Sequence, residues 1–165
     1  MYKRQEFGDR YTFAELCKEA EETDYITSRI DVNNKCFLAP ENMTEAIKSY
    51  CNNNDLIIPD TAGEIAAVVY KSLADSYADT VMQIEKNLDI TYDAIYVIGG
   101  GANAGYLNQL TADSTGKTVV AGPAEATAIG NIMAQMIADS VFKNLKEARA
   151  CVRDSFDIKR FEQKR

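Results

Sequence analysis

The chain has 165 residues, a formal net charge of -7, four cysteines and no histidine or tryptophan. This length predicts a single domain with one core. The acidic balance argues against a nucleic-acid partner, because binding to phosphate backbones needs a basic face. The absence of histidine excludes Ser-His and Cys-His nucleophiles and most kinds of metal site. The cysteines form no C-x-x-C pair, which suits the reducing cytoplasm, and no apolar run is long enough for a membrane span.

Three helix-capping patterns predict helices in the first half of the chain, each a Thr or Asn followed three residues later by Glu. The helices are predicted from Thr12 to about Glu22, from Asn42 to Tyr50 or Cys51, and from about Ala62 to Asn87. Residues 1–11 are expected to be mobile. Residues 23–40 show no periodicity, and we expect an ordered loop that its apolar side chains attach to the core.

An apolar stretch from Ala94 to Ile98 runs directly into Gly99 to Gly101 and then Asn103. The stretch predicts a strand covered on both faces, and a helix is expected from about Ala104. Glycines let backbone N–H groups approach a ligand closely, and a helix N-terminus adds further N–H donors and partial positive charge. The pattern favours binding of an anion, of which phosphate is the commonest in biology. The alternative is a tight strand-to-helix turn without a ligand.

The rest of the chain predicts a second strand and two more helices. The helix after the glycines is expected to end near Gly116, and a second strand covers Thr118–Ala121. Pro123 should lie in the first turn of the next helix, whose predicted buried residues run from Ala126 to Val141. A last helix is expected over Leu145–Phe156, and Lys159–Arg165 should be a mobile basic tail.

Two strand–helix units in succession predict parallel strands joined by a right-handed crossover, with ligands at the carboxyl ends of the strands. Because a two-stranded sheet is marginal, we expect either that long helices cover it or that partner strands come from outside this chain. The exposed sheet edge favours association, and we expect a homodimer or a partner chain there.

Several motifs resemble the carboxyl-terminal part of bacterial rhamnulokinases, which belong to the FGGY family of carbohydrate kinases. The motifs are Ile98-Gly-Gly-Gly-Ala-Asn103, Leu107-Asn-Gln-Leu-Thr-Ala-Asp113 and Val120-Ala-Gly-Pro-Ala-Glu-Ala-Thr-Ala-Ile-Gly-Asn131. Tyr11–Leu16 and Gly63–Ala66 are similar too, so the resemblance extends over nearly the whole chain. It implies an α/β fold, part of an actin-like, ribonuclease-H-like ATPase domain, which here is helix-rich with a short parallel strand pair.

The resemblance also implies an activity, the transfer of the ATP γ-phosphate to the 1-hydroxyl of L-rhamnulose. In the family the glycine turn contacts the nucleotide, a role that falls here to Gly100, with Gly99 and Gly101 shaping the turn. The family usually has an asparagine near the adenine at the position of Ala104, and Asn103 is expected to take its place.

No residue of this chain matches the family's catalytic aspartate, phosphate loop or sugar-binding residues, all of which lie upstream. We therefore expect residues 1–165 to be a truncated carboxyl-terminal domain that binds adenine nucleotide but is inactive alone. Magnesium would be held mostly by residues outside the chain, and sugar would bind only with the missing part present.

Two other functions stay open. Gly99-x-Gly101-x-x-Ala104 fits a relaxed dinucleotide-binding pattern of oxidoreductases, although Ala121-Gly122-Pro123 offers no acidic residue after the second strand to bind a ribose. A non-catalytic interaction module derived from a sugar kinase is the other alternative.

Overall fold

The computed structural model describes residues 11–23 and 25–164, which form two compact units, one up to Ile90 and one from Thr91. Chain length predicts one domain and gives no sign of this division. The prediction that residues 1–11 are mobile concerns a segment that, apart from Tyr11, lies outside the described residues.

The described part of the first unit is helical. Its elements are α1 (Phe13–Glu22), a 3₁₀ turn (Lys35–Phe37), α2 (Met43–Asn53) and α3 (Ala62–Leu88). The predicted caps are confirmed, because the side chains of Thr12, Asn42 and Thr61 each accept a hydrogen bond from the backbone N–H three residues on. The capping signals therefore fixed the helix starts, while α2 runs two residues beyond its predicted end.

The core of the first unit forms where α2, α3 and the loop before the 3₁₀ turn meet. Its buried members are Ile26, Ile30, Ile47, Cys51, Ile65 and Val68. Two polar side chains of α3 attach the loop: the Lys71 ammonium donates to the Ile26 carbonyl at 3.0 Å, and the Ser72 hydroxyl accepts from the Ile30 N–H at 2.9 Å. The ordered loop is confirmed at Ile26 and Ile30, which are buried in the core, but Leu38 is 87% exposed and does not attach to it.

The second unit combines a small sheet with three α-helices among its described residues. Its elements are β1 (Ala94–Val97), a 3₁₀ turn (Gly99–Asn103), α4 (Gly105–Thr115), β2 (Thr118–Ala121), α5 (Ala126–Ala138), α6 (Leu145–Ser155) and β3 (Lys159–Phe161). The order in the sheet is β1-β2-β3. Strands β1 and β2 are parallel, as predicted, and β3 is antiparallel to β2.

The prediction of a mobile tail over Lys159–Arg165 was wrong, because Lys159–Phe161 forms β3. The residues after this strand are also bonded. The Gln109 amide donates to the Glu162 carbonyl at 2.8 Å, and the Lys164 N–H donates to an Asp113 carboxylate oxygen at 2.7 Å. A short basic run carries no signal for this pairing, since its partners lie far away in sequence. The sheet is therefore mixed and three-stranded.

Burial in the second unit differs from the prediction. The stretch from Ala94 to Ile98 is not covered on both faces, because Tyr96 of β1 is 74% exposed and Ile98 after it is 60% exposed. α5 starts at Ala126, after Pro123, and none of its residues is buried, which overturns the predicted buried stripe. Instead, the face of the sheet that carries Tyr96 borders a groove of about 1100 Å³, lined also by α5 and α6.

Candidate functional site

The predicted anion site lies where β1 and β2 end side by side. The last pair in their register joins Val97 to Ala121, and the Gly122 N–H donates to the Val97 carbonyl at 2.9 Å. The glycine turn after β1 and the Gly122-Pro123 turn after β2 therefore meet at the carboxyl edge of the parallel pair. This edge is where open α/β sheets bind ligands.

The three glycines of the turn serve different purposes. Gly99 has φ +74°, a left-handed conformation that side chains disfavour. A Cβ built on Gly100 would meet no atom within 4 Å, and one on Gly101 would lie 3.4 Å from a Val97 methyl. Backbone geometry thus requires a glycine at position 99. Neither packing nor a positive φ requires one at position 100, and the open space there suits the close approach of a ligand.

Asn103 projects from the end of this turn between two buried alanines. Ala102 and Ala104 are buried, while Asn103 is exposed and its amide makes no hydrogen bond within the described part of the chain. An asparagine at position 104 would have to replace the buried methyl of Ala104. In this chain the amide that can reach a ligand is therefore that of Asn103.

The helices that begin at this edge lack the caps found elsewhere. The residues before α4 and α5, Ala104 and Glu125, make no side-chain hydrogen bond to the first turn, whereas Asn144 caps α6. The first N–H groups of an α-helix have no partner within the helix, and they carry its partial positive charge. One set of such donors, at the start of α4, directly follows the glycine turn, and the other, at the start of α5, comes after the Gly122-Pro123 turn. Both favour an anionic ligand.

Sequence reasoning missed one residue of the site, Asn108. It lies in the first turn of α4, is 2% exposed, and its amide nitrogen is 3.3 Å from both the Gly101 and the Ala102 carbonyl oxygens. The available signal was a polar residue between Leu107 and Leu110, where a helix face would otherwise be apolar. A buried amide needs partners, and the glycine turn supplies them.

The described residues provide neither a metal site nor a membrane span. No three side chains of His, Cys, Asp or Glu come together within residues 11–23 and 25–164 in an arrangement that could hold a metal ion. Over the same residues, no helix combines the length and apolar character needed to cross a membrane.

Comparison with known sequences identifies the family. A sequence model of the FGGY family of carbohydrate kinases, C-terminal domain, matches residues 4–138. The chain belongs to the FGGY family of carbohydrate kinases. The resemblance inferred from the glycine turn and the motif around Gly122 is thereby confirmed. The FGGY C-terminal domain is of the actin-like, ribonuclease-H-like ATPase kind, and its match extends across the division between the two compact units.

Relatives with curated names are similar over nearly the whole chain. The rhamnulokinase of Bacillus subtilis (strain 168) is 45% identical over 161 residues, which cover 98% of this chain and 33% of that protein. The rhamnulokinase of Oceanobacillus iheyensis is 44% identical, with 94% and 33% covered, and that of Lactiplantibacillus plantarum 39%, with 96% and 32%. The chain therefore spans about a third of the length of these curated relatives.

Proposed function

We propose that this chain carries part of the adenine-nucleotide site of an ATP-dependent sugar kinase that phosphorylates L-rhamnulose at its 1-hydroxyl. The observation that carries the proposal is the open glycine turn at the carboxyl edge of β1 and β2, in a chain similar to proteins named rhamnulokinase. Membership of a carbohydrate-kinase family, with Ala121-Gly122-Pro123 and no acidic residue at the end of β2, leaves an oxidoreductase role without support.

The turn residues have distinct roles in this proposal. Gly100 is the point of closest approach of the nucleotide, because neither a positive φ nor packing accounts for a glycine there. Gly99 and Gly101 hold the backbone around it, and the exposed Asn103 amide hydrogen-bonds the adenine. Phosphoryl transfer depends on positioning and charge neutralisation, to which the N–H donors at the starts of α4 and α5 would contribute. ATP brings Mg²⁺, whose protein ligands lie outside the described residues.

The chain alone would bind nucleotide without transferring phosphate. The described residues hold no acidic cluster for a metal, and the chain spans only a third of its relatives' length. We place the catalytic base and the sugar-binding residues in a preceding part of a longer kinase. β1 is at the edge of the three-stranded sheet, so a strand of that preceding part, or of a second copy in a homodimer, would pair with it.

Titration calorimetry with ADP tests the nucleotide site, and a coupled assay with ATP, Mg²⁺ and L-rhamnulose tests inactivity. We expect weak ADP binding and no sugar-dependent turnover by the chain. Gly100→Val should weaken ADP binding by about 10-fold or more while the melting temperature stays unchanged, because its side chain enters space that only the ligand would use.

A matched control adds similar bulk at an exposed position away from the turn. Ala138→Val, at the last residue of α5, should leave ADP affinity unchanged. Equal affinity of Gly100→Val and the unaltered chain would contradict the nucleotide site. Sugar-dependent ATP turnover by the chain alone would contradict the proposed inactivity, and a strictly monomeric mass by light scattering would contradict the homodimer.

A further inference from the structure

The glycine turn contains few groups that could hold it in one shape. Glycines contribute no side-chain packing and lose more conformational freedom on ordering than other residues. The turn spans five residues, of which three are glycine and one, Asn103, is exposed. Only the Ala102 side chain is buried within it. Its geometry must therefore be fixed by residues outside the turn.

Asn108 makes the contacts that could fix it. Its amide nitrogen lies 3.3 Å from the Gly101 oxygen and 3.3 Å from the Ala102 oxygen, so one NH₂ group bridges two successive carbonyls. The Gly101 oxygen also accepts from the Ala104 N–H at 3.0 Å, and the Asn108 N–H donates to the Ala104 carbonyl at 2.9 Å. The end of the 3₁₀ turn and the first turn of α4 are thus joined through one residue.

The orientation of these bonds matters for a ligand. In a helical turn the carbonyls point towards the carboxyl end and the N–H groups towards the amino end. Asn108 binds carbonyls at the carboxyl end of the turn, inside the protein, and leaves the amino end at Gly99 and Gly100 open. A carbonyl turned outward would repel an anion, so holding it inward keeps the surface of the turn suited to phosphate.

We propose that Asn108 is a positioning residue that preorganises the glycine turn for the nucleotide. This role rests on the proposed nucleotide site and adds to it a residue that does not touch the ligand. Ordering a flexible loop on binding reduces affinity, and a loop already held in its bound shape avoids that loss. Asn108 therefore acts on affinity through the rigidity of Gly99 to Ala102.

Two substitutions at position 108 test the role. Asn108→Asp keeps the shape but replaces the donor by a carboxylate facing two carbonyl oxygens, and Asn108→Leu removes the donor without placing a charge in a buried position. Thr111→Val is the matched control, because Thr111 is also buried in α4 and its hydroxyl donates only within the helix, to the Leu107 carbonyl at 2.8 Å.

The experiment measures ADP affinity by calorimetry and hydrogen exchange of the turn amides in the ligand-free chain. We expect both variants at position 108 to weaken ADP binding by about 10-fold and to speed exchange of the turn's bonded amide at Ala104, whose N–H donates to the Gly101 carbonyl, with exchange at Val119 unchanged. Thr111→Val should change neither measurement. If Asn108→Asp does not fold, the affinity and exchange of Asn108→Leu test the positioning role.

The outcomes separate this role from the nucleotide site itself. Unchanged affinity and unchanged turn exchange in the variants at position 108 would overturn the positioning role, as would an equal loss of affinity in Thr111→Val. If the unaltered chain binds no ADP, the nucleotide site fails. In that case faster exchange confined to the turn would still support Asn108 as the residue that orders it, and unchanged exchange would overturn it.

Discussion

The two compact units bury their apolar residues to very different extents. The first unit closes a core around Ile65, which is 1% exposed, and nine residues of α3 are buried. In the second unit α5 has an apolar composition yet no buried residue, and Ile132 on it is 52% exposed. The first unit therefore has a closed core, although apolar residues such as Leu38 and Met82 are exposed on it, whereas the second presents a groove and an open strand edge.

Helix capping separates the units in the same way. Each α-helix of the first unit within the described residues has a side-chain cap. In the second unit α4 and α5 begin uncapped at the carboxyl edge of β1 and β2, and only α6 is capped. The first unit thus has capping residues that stabilise the start of each of its described α-helices. In the other, two helix starts without a side-chain cap follow the turns of the candidate ligand site, as expected where function overrides local stability.

The largest expected difference between the units comes from one truncation made in each. Ile65→Ala removes a side chain from the closed core and should lower the free energy of unfolding by about 2–5 kcal/mol. Ile132→Ala, the same change on exposed α5, should stay within about 0.5 kcal/mol. Urea denaturation followed by circular dichroism measures both. Equal losses would show that α5 is packed in solution and would contradict the difference in burial.

A second comparison uses two glycines with opposite surroundings. A Cβ on Gly63 would lie 2.9 Å from Glu19 Cβ and 3.1 Å from the Glu19 oxygen, because α1 crosses α3 closely there. Gly63→Ala should therefore cost about 1–3 kcal/mol by overpacking. A Cβ on Gly130 of α5 would meet no atom within 4 Å, so Gly130→Ala should add about 0.5–1 kcal/mol through helix propensity.

Thermal unfolding of both alanine variants tests this contrast. The melting temperature is expected to fall for Gly63→Ala and to rise slightly for Gly130→Ala. A fall for Gly130→Ala would mean that a segment packs against α5 in solution. That result would show that the groove beside α5 is covered in solution.

How well the sequence predicted each element depended on how local its signal is. The starts of α1, α2 and α3 follow from a capping residue and a glutamate three residues later. The signals that predicted β2 and the helix end at the left-handed Gly116 were equally local. β3 could not be predicted, since its pairing with β2 joins residues far apart in sequence. The apolar stripe of α5 predicted burial that requires a partner surface, and residues 11–23 and 25–164 provide none that buries it.

The candidate site was predicted in the same uneven way. Gly99 to Gly101 stand out because three glycines follow an apolar run. Asn108 was missed because the sequence does not show that its amide faces backwards onto the carbonyls of the turn. The exposure of Asn103 and the burial of Ala104 could not be predicted either. Both depend on the path of the backbone through the turn and not on residue type.

The smallest expected effect concerns a carboxylate at the start of α3. The Tyr25 hydroxyl and the Asp60 N–H, each at 2.6 Å, and the Thr61 N–H at 3.1 Å all donate to Glu64 and lower its pKa. Because the folded pKa lies below the unfolded value of about 4.3, the carboxylate contributes stability above that pH and loses it as pH falls through the folded pKa.

Glu64→Gln should therefore destabilise the chain near neutral pH, by less than about 1.5 kcal/mol, and converge with the unaltered chain at low pH. Tyr25→Phe removes one of the three donors and should give a smaller change of the same sign. Melting temperatures measured across acid pH follow both. A difference that grows as pH falls would contradict this account of the cap.

The nucleotide site is the central claim, and an amide NMR titration of the chain with ADP tests it most directly. We expect shifts that saturate with ADP and are largest at Gly99 to Asn103 and at the first turn of α4. Shifts that are absent from this turn, or confined to the first unit, would contradict it.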